Sequence, residues 1–250
     1  MKILLTNDDG IYADGLYSLY SELKKVGDCL VVAPDGQKSS VGHGITLNMP
    51  IWCKKFHRKG KLFGYAISGT PADCVKFGVS VLLERPPDVV VSGINLGDND
   101  GCSVFYSGTV AGAREGALLG IPSIAVSLAT FVDPDFAYAA KCAAGLVRRL
   151  KTFRMPRGTF LNVNVPAKPP TGIKGVKLTR QGKDPIHGHF HKRKDPHGKE
   201  YYWLSGKPPF KLTDDNADTI ALRKGFVTVT PIHVDSTDYV TLEAIQDWKF

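Results

Sequence analysis

Two adjacent aspartates, Asp8 and Asp9, follow the first apolar segment of the chain in the stretch KILLTNDDG. Two carboxylates held this close repel each other, and no basic residue adjoins them in the sequence to balance their charge. A bound cation would balance it. An ordinary Asp-Gly turn accounts for the same residues without a ligand, so the pair becomes informative only together with its neighbours in space.

Further polar side chains follow other apolar segments. Ser39, a hydroxyl, and His43 lie in PDGQKSSVGHGIT after the second such segment, and Asn95, a carboxamide, lies in GINLGDNDG after PDVVVS. Because the carboxyl ends of parallel strands meet at one edge of a sheet, we expect these side chains to approach the two aspartates. Carboxylate, hydroxyl and carboxamide oxygens suit Mg²⁺, Mn²⁺ or Ca²⁺. The sequence therefore predicts a divalent-cation site at that edge.

A phosphate-binding segment is predicted in YSGTVAGAREG. Ser107 and Thr109 supply hydroxyls, Gly108 permits close approach of the backbone, and the first amides of the following helix face an anion. A routine helix cap formed by Ser or Thr is the alternative. The chain has no GxxxxGK[ST] motif, and no GxGxxG follows the first apolar segment. These absences argue against a P-loop NTPase and against a dinucleotide-binding protein.

Apolar runs alternate with segments of helical periodicity over the first two-thirds of the chain. The pattern predicts strands at 2–6, 29–33, 87–93 and 122–127, and helices at 14–25, 70–83, 109–119 and 135–150. Thr70, Pro71 and Asp73 form a capping box at the start of the second helix. Unbroken Val, Ile and Leu runs suit a parallel sheet covered on both faces. The predicted fold is α/β: a doubly wound, mostly parallel, Rossmann-like sheet in residues 1–165 that carries the active site.

Residues 166–250 differ in composition, with a Pro- and Gly-rich loop and a basic, His-rich stretch, and are predicted to form a separate C-terminal part. Its predicted elements are an extended basic β-hairpin at about 182–206, a helix at 218–224, a returning strand at 226–232 and a tail helix at 240–250. His187, His189 and His191 alternate within the hairpin. A solvated basic tip is favoured there over a transition-metal site.

The composition limits the class of protein. The 250 residues are 43% hydrophobic, which suits one sizeable domain with a smaller appendage. Five scattered cysteines without a CxxC pair indicate neither a disulfide framework nor a thiolate zinc site. Without a secretory leader or an apolar run of membrane length, a cytoplasmic protein is expected. The formal net charge of +8 favours nucleotides, nucleic acid or phosphate as ligands without choosing among them.

Several segments stand in a distinctive order along the chain: LLTNDDG, VVAPDGQKSSVGHGIT, SGTPADCV, VVVSGINLGDNDG and YSGTVAGAREG, followed by FLNVNVP, TRQG and GFVTVTPIHVDST. Each is weak alone, but the ordered set covers nearly the whole chain and closely resembles the SurE (survival protein E) family. The resemblance implies a nucleoside monophosphate phosphohydrolase with a Rossmann-like core. It also implies a homodimer or homotetramer formed through the C-terminal hairpin and tail.

The same resemblance implies one divalent metal ion per subunit, Mg²⁺ or Mn²⁺, with Ca²⁺ as a substitute in a crystal. Carried onto this sequence, the metal ligands are Asp8, Asp9, Ser39 and Asn95. The expected phosphate contacts are Ser107, Gly108, Thr109 and His43. The expected catalytic residues are Asp8, Asp9, Asn95 and Ser107. Gly44 departs from the pattern, because the family often has a serine there.

The expected reaction is hydrolysis of nucleoside 5′- and 3′-monophosphates to nucleoside and phosphate by a metal-activated water. Asp8 or Asp9 is expected to accept the proton, and the sequence does not choose between them. An aspartyl-phosphate intermediate is less favoured because metal binding occupies both carboxylates. The alternatives are an acid phosphatase or exopolyphosphatase with the same site, and a non-catalytic nucleotide- or RNA-binding protein. Neither a membrane nor obligatory nucleic acid is expected as a partner.

Overall fold

The computed structural model describes residues 1–167, 169–183, 188–206 and 214–249. Eleven strands form in this part of the chain: β1 (Lys2–Thr6), β2 (Asp28–Pro34), β3 (Cys53–Arg58), β4 (Lys61–Ile67), β5 (Val89–Leu96), β6 (Ser123–Ala129), β7 (Thr159–Pro166), β8 (Val176–Leu178), β9 (His189–Lys194), β10 (Glu200–Ser205) and β11 (Val227–His233). Nine of them form one sheet in the order β3-β4-β2-β1-β5-β6-β7-β11-β8. The pairs β3–β4 and β7–β11 are antiparallel and the others are parallel. The predicted doubly wound, mostly parallel α/β fold is confirmed.

Six α-helices are described: α1 (Asp14–Leu23), α2 (Pro71–Phe77), α3 (Gly108–Leu118), α4 (Ala137–Arg149), α5 (Asp218–Arg223) and α6 (Tyr239–Ala244). Helices α1 and α4 pack on one face of the sheet, and α2 and α3 pack on the other. Strand β1 shows why both faces need cover, since Ile3 and Leu5 join the α1–α4 core while Leu4 joins the α2 core. Successive residues of a strand point to opposite faces of the sheet. A strand that is apolar at every position, such as β1, is therefore buried on both faces and lies in the centre of the sheet.

Helix α2 begins with the predicted capping box. The Thr70 side chain accepts from the backbone N–H of Asp73, and the Asp73 carboxylate accepts from the backbone N–H of Thr70. Two of the N–H groups at the helix start that lack intrahelical partners are satisfied in this way. The helix passes into a π-helical turn at Gly78–Leu82, so the predicted end near residue 83 is close to the observed one.

Within the described part of the chain, strands β9 and β10 pair only with each other and form an antiparallel hairpin outside the main sheet. We call residues 188–206 the arm. Every residue of both strands is exposed, including Phe190 and Trp203. The predicted hairpin is present, although His187 lies outside the described residues. The returning strand β11 joins the main sheet between β7 and β8, and α6 forms in the tail.

Sequence reasoning missed the β3–β4 hairpin. Strand β3 carries Lys54, Lys55 and Arg58, and it lies at the edge of the sheet where charged residues remain in water. An edge strand with one wet face lacks the apolar run that identified the central strands. Among the described helices, none combines the length and apolar character needed to cross a membrane.

Candidate active site at the carboxyl edge of the sheet

Asp8 and Asp9 lie just beyond the carboxyl end of β1, at the point where the strand order reverses. Strand β1 has β2 on one side and β5 on the other, so the connections that leave β1 and β5 diverge above this edge. In open α/β sheets such a crevice is where ligands bind. Asn95 is the second-last residue of β5, which continues three residues beyond its predicted end at position 93. The strand itself therefore holds Asn95 beside the aspartates.

The two carboxylates are held by different partners. Asp8 is only 4% exposed and accepts a hydrogen bond from the Thr109 hydroxyl. Asp9 accepts from the backbone N–H of Leu96, at 3.2 Å. Burial is the main cause that raises the pKa of Asp8 above its usual value. Burial, followed by the charge of Asp8, raises the pKa of Asp9 to about 6.

The buried Asp8 carboxylate and the half-buried Asp9 carboxylate have no cationic partner within the described part of the chain. No Lys, Arg or His side chain there forms an ion pair with Asp8 or Asp9. Buried charges in proteins are normally paired or bound to a metal ion. A divalent cation with a preference for oxygen ligands therefore fits the pair.

Asn95 and Ser39 offer neutral oxygens to the same site. The Asn95 amide nitrogen donates to the carbonyl oxygens of Leu96 and Gly97, at 3.2 and 2.7 Å, which leaves the amide oxygen available as a ligand. The Ser39 hydroxyl accepts from the Gln37 amide at 2.8 Å. Over the described residues, no three His, Cys, Asp or Glu side chains are placed to hold a metal ion. A cation at this position thus requires the amide and hydroxyl oxygens as well as the two carboxylates.

The start of α3 lies directly against Asp8. Ser107 is the N-cap of this helix, and its hydroxyl accepts from the backbone N–H of Val110 at 3.1 Å. A Cβ atom added at Gly108 would lie 2.8 Å from the Asp8 Cβ, closer than such atoms approach in proteins. Position 108 must therefore be a glycine to leave room for Asp8. The sequence alone did not show this reason. The predicted contacts of Ser107, Gly108 and Thr109 with phosphate stay a prediction.

His43 reaches α3 farther along that helix. Its Nε2 atom lies 2.8 Å from Oε2 of Glu115, and Lys76 Nζ lies 2.8 Å from Oε1 of the same carboxylate. Burial opposes ionisation of Glu115, but the hydrogen bonds from His43 and Lys76 outweigh it and lower the pKa of that carboxyl. His43 is outside the lining of the pocket that contains Asp8. Its predicted phosphate contact stays a prediction.

The loop after β5 is tied down by asparagines of β7. The Asn99 backbone N–H donates to the Asn164 side-chain oxygen at 2.8 Å, and the Asn162 amide donates to the Asn99 carbonyl at 2.7 Å. The Asn99 side chain donates to the Ser127 hydroxyl at 2.9 Å. The alternate asparagines of FLNVNVP point to one face of β7, and this network explains them.

Asp218 holds the other end of the same loop. Its carboxylate is fully buried and accepts from the backbone N–H groups of Gly101, Gly182 and Thr219. Nearby Asp100 is also buried, and one of its oxygens has no hydrogen-bond partner among the described residues. Burial, followed by the charges of Asp98 and Asp218, raises the pKa of Asp100 to about 7.

One pocket of about 630 Å³ contains several of these residues, with Asp9 and His43 outside its lining. Its polar end contains four of the predicted site residues: Asp8, Ser39, Asn95 and Ser107. Its other end is apolar and is lined by Tyr106, Phe131, Phe190 and Leu204. Phe131 is 74% exposed and Phe190, on the arm, is 70% exposed. Sequence reasoning identified the polar end but missed Phe131, Phe190 and Leu204, because only the folded chain brings them near Asn95.

The fold and the site define a doubly wound α/β protein with paired aspartates and a helix start at the carboxyl edge of its sheet. The family model described as survival protein SurE matches residues 3–188. The chain belongs to the SurE family. It is 48% identical to a 5′-nucleotidase SurE of Syntrophus aciditrophicus over 98% of this chain and 93% of that protein. It is 46% identical to a 5′-nucleotidase SurE of Syntrophobacter fumaroxidans over the full length of both.

A solved structure shares the architecture. The SurE protein from Aquifex aeolicus superposes with a TM-score of 0.87 at 41% identity, covering 98% of each chain. The likeness therefore extends over the C-terminal elements as well as the core.

Proposed function

We propose that this protein is a divalent-metal-dependent 5′-nucleotidase that also accepts 3′-monophosphates. The observation that carries the proposal is a pocket with a polar part, which includes Asp8, Ser39 and Asn95, and an apolar, partly aromatic part, which includes Phe131 and Phe190. A nucleoside monophosphate has the same two parts, a dianionic phosphate and a flat base. The name 5′-nucleotidase borne by relatives with nearly full-length similarity supports the same substrate class.

Asp8, Asp9, Ser39 and Asn95 are the residues proposed to hold the metal ion. Mg²⁺ and Mn²⁺ suit these oxygens, and such an ion supplies a nucleophile at neutral pH by lowering the pKa of a water. Ser107, the N-cap of α3, and the first amides of that helix are proposed to bind the oxygens of the phosphate, where negative charge grows in the transition state. The Thr109 hydroxyl donates to Asp8 and so orients that carboxylate.

Phosphate release from 5′-AMP by the purified protein tests the proposal. Activity is expected to disappear in excess EDTA and to return with Mn²⁺ or Mg²⁺. Asp8→Asn is expected to remove most turnover, whereas Asp28→Asn, an exposed residue at the opposite edge of the sheet, is not. Metal-independent activity, or full activity of Asp8→Asn, would contradict the proposed site.

Substrate competition separates this function from the alternatives. A general acid phosphatase would hydrolyse ribose 5-phosphate as efficiently as AMP, and an exopolyphosphatase would prefer chains of phosphate. A protein that only binds RNA would release no phosphate, and its affinity would fall steeply with salt because many phosphates are contacted.

We also propose that the arm and the tail assemble the chain into a homodimer or homotetramer. All six residues of α6 are exposed, among them Tyr239, Val240 and Leu242. Exposed apolar surface of this kind marks an interaction site. Light scattering of the full chain is expected to give a dimer or tetramer, and Val240→Asp with Leu242→Asp is expected to shift it toward monomer. A wild-type monomer would exclude the proposal.

A further inference from the structure

A second cavity, of about 770 Å³, lies at the opposite edge of the main sheet. It is formed by residues 119–122, which lead from α3 into β6, and by residues 150–159, which lead from α4 into β7. Both segments precede their strands, so this cavity is at the amino edge, whereas Asp8 and Asn95 are at the carboxyl edge. We call it the basic cleft.

Three cations line the basic cleft: Lys151, Arg154 and Arg157. No carboxylate is among its described lining residues, and none of the three cations forms an ion pair within the described part of the chain. Arg157, on one segment of the cleft, extends toward Gly120 on the other. Its Nε atom lies 3.5 Å from the position that a Cβ atom at Gly120 would occupy. Arg148 and Arg149, in the last turn of α4, add positive charge next to the cleft.

The negative ends of two helices compensate only part of this positive charge. Helices α3 and α4 both end beside the cleft, and a helix carboxyl end carries about half a negative elementary charge. Two such ends balance about one cation, while the lining alone holds three. The surplus is positive charge concentrated in a concave site, which attracts anions more strongly than a flat surface does.

The cleft also contains exposed apolar surface. Phe153 is 58% exposed and Leu119 is 41% exposed, and both line it beside the cations. Arginine and an aromatic ring together suit a ligand with phosphate groups and a flat base. A cavity of this size is in the range of small-molecule sites.

We infer that the basic cleft is a second, non-catalytic site that binds a nucleotide with several phosphates. Lys151, Arg154 and Arg157 are assigned to the phosphates and Phe153 to the base. Three cations match the charge of a nucleoside triphosphate better than that of a monophosphate. The site is separate from the proposed catalytic pocket and does not depend on the metal there.

Isothermal titration of the full chain with ATP in excess EDTA tests this inference without turnover. Arg154→Glu with Arg157→Glu is expected to weaken binding about tenfold or more, because two charge-assisted contacts are lost. The matched control is Lys55→Glu with Lys61→Glu, which makes the same charge change on the exposed β3–β4 hairpin and is expected to bind ATP like the wild type. Both cleft arginines are exposed, so their replacement is expected to leave the fold and AMP hydrolysis unchanged.

A second comparison tests the aromatic part of the assignment. Phe153→Ala is expected to weaken ATP binding but to leave binding of inorganic tripolyphosphate unchanged. Equal ATP affinity of the wild type and the arginine variant would overturn the inference, and so would no binding to the wild type. Tripolyphosphate binding as tightly as ATP would overturn the role of Phe153. An oligoribonucleotide that binds through the same arginines, and that ATP does not displace, would overturn the nucleotide assignment.

Discussion

Nε2 of His43 and Oε2 of Glu115 lie 2.8 Å apart, and this contact ties the loop that carries Ser39 to the helix that begins at Ser107. Glu115 is 3% exposed and also receives Lys76 from α2. Three separate segments thus converge on one buried carboxylate. The contact makes His43 a positioning residue in this structure, since it fixes two of the segments that supply the polar end of the pocket, the loop with Ser39 and helix α3.

Replacement of Glu115 by glutamine is expected to destabilise the fold by about 2 kcal/mol, because two charge-assisted hydrogen bonds to a buried group are weakened. The measurement is urea denaturation at neutral pH. Glu22→Gln is the control: Glu22 pairs with Lys25 on the surface of α1, and no measurable change is expected. Equal effects of the two substitutions would contradict the anchoring role of Glu115.

Gly108→Ala tests the contact between α3 and Asp8. The added Cβ atom would lie 2.8 Å from the Asp8 Cβ, so the helix start or the aspartate must shift. We expect a loss of about 1–3 kcal/mol in stability together with a marked loss of AMP hydrolysis. Gly145→Ala, in the middle of α4 with open space around its Cβ position, is expected to stabilise by about 0.5–1 kcal/mol. Wild-type stability and activity of Gly108→Ala would contradict the requirement for a glycine against Asp8.

Asp100 is expected to make stability depend on pH. Its pKa rises from a usual 3.8 to about 7 in the folded protein, chiefly through burial. Between these values the folded state binds more protons than the unfolded state, so the free energy of unfolding falls as pH rises from about 4 to about 7. Above that range the loss is complete and constant.

Asp100→Asn removes this dependence. Relative to the wild type, the asparagine variant is expected to gain about 4 kcal/mol in free energy of unfolding between pH 4 and pH 8. Urea denaturation in EDTA at both pH values measures the difference without a contribution from bound metal. A wild type that loses no stability relative to the variant over this range would show that Asp100 ionises normally.

Phe190→Ala tests the apolar end of the pocket. Loss of base stacking is expected to lower kcat/KM for AMP about tenfold while leaving hydrolysis of ribose 5-phosphate unchanged. Trp203→Ala is the matched control, because Trp203 is an aromatic residue of the same arm that lines a different pocket, with His191 and Arg193. Equal losses for both substrates would assign Phe190 to the structure of the arm instead of to the base.

Asp8 and Asn95 line one pocket, and their positions could be predicted because they lie at the ends of strands that are easy to recognise. Their roles as metal ligands stay predictions. A short, unbroken apolar run such as KILLT predicts a buried strand. The position of Asp8, just beyond the end of that strand, follows from where the run ends. The partners of Glu115 were not predicted, since nothing local links position 43 to position 115. A charged residue within the Ala- and Gly-rich helix α3 was the available signal.

The apolar end was not predicted for a different reason. Phe131 and Phe190 come from a loop and from the arm, and their distance from Asn95 depends on how these segments fold back over the sheet. Periodicity describes a segment and its own faces, and it carries no information on contacts between segments far apart in the chain. The edge strand β3 was missed because its solvent-exposed charged residues interrupt the apolar run that identifies a buried strand.

Among the described residues the strands of the arm pair only with each other, so the pocket combines residues of the main sheet with residues of a separate hairpin. The core around Asp8 tolerates little change, because Asp8 accepts from Thr109 and a Cβ atom at Gly108 would collide with Asp8. Phe190 and Leu204 stand on strands that share no hydrogen bond with the main sheet. In a directed-evolution library confined to residues 188–206, we therefore expect the proposed preference for a base to change while the proposed metal and phosphate contacts are kept.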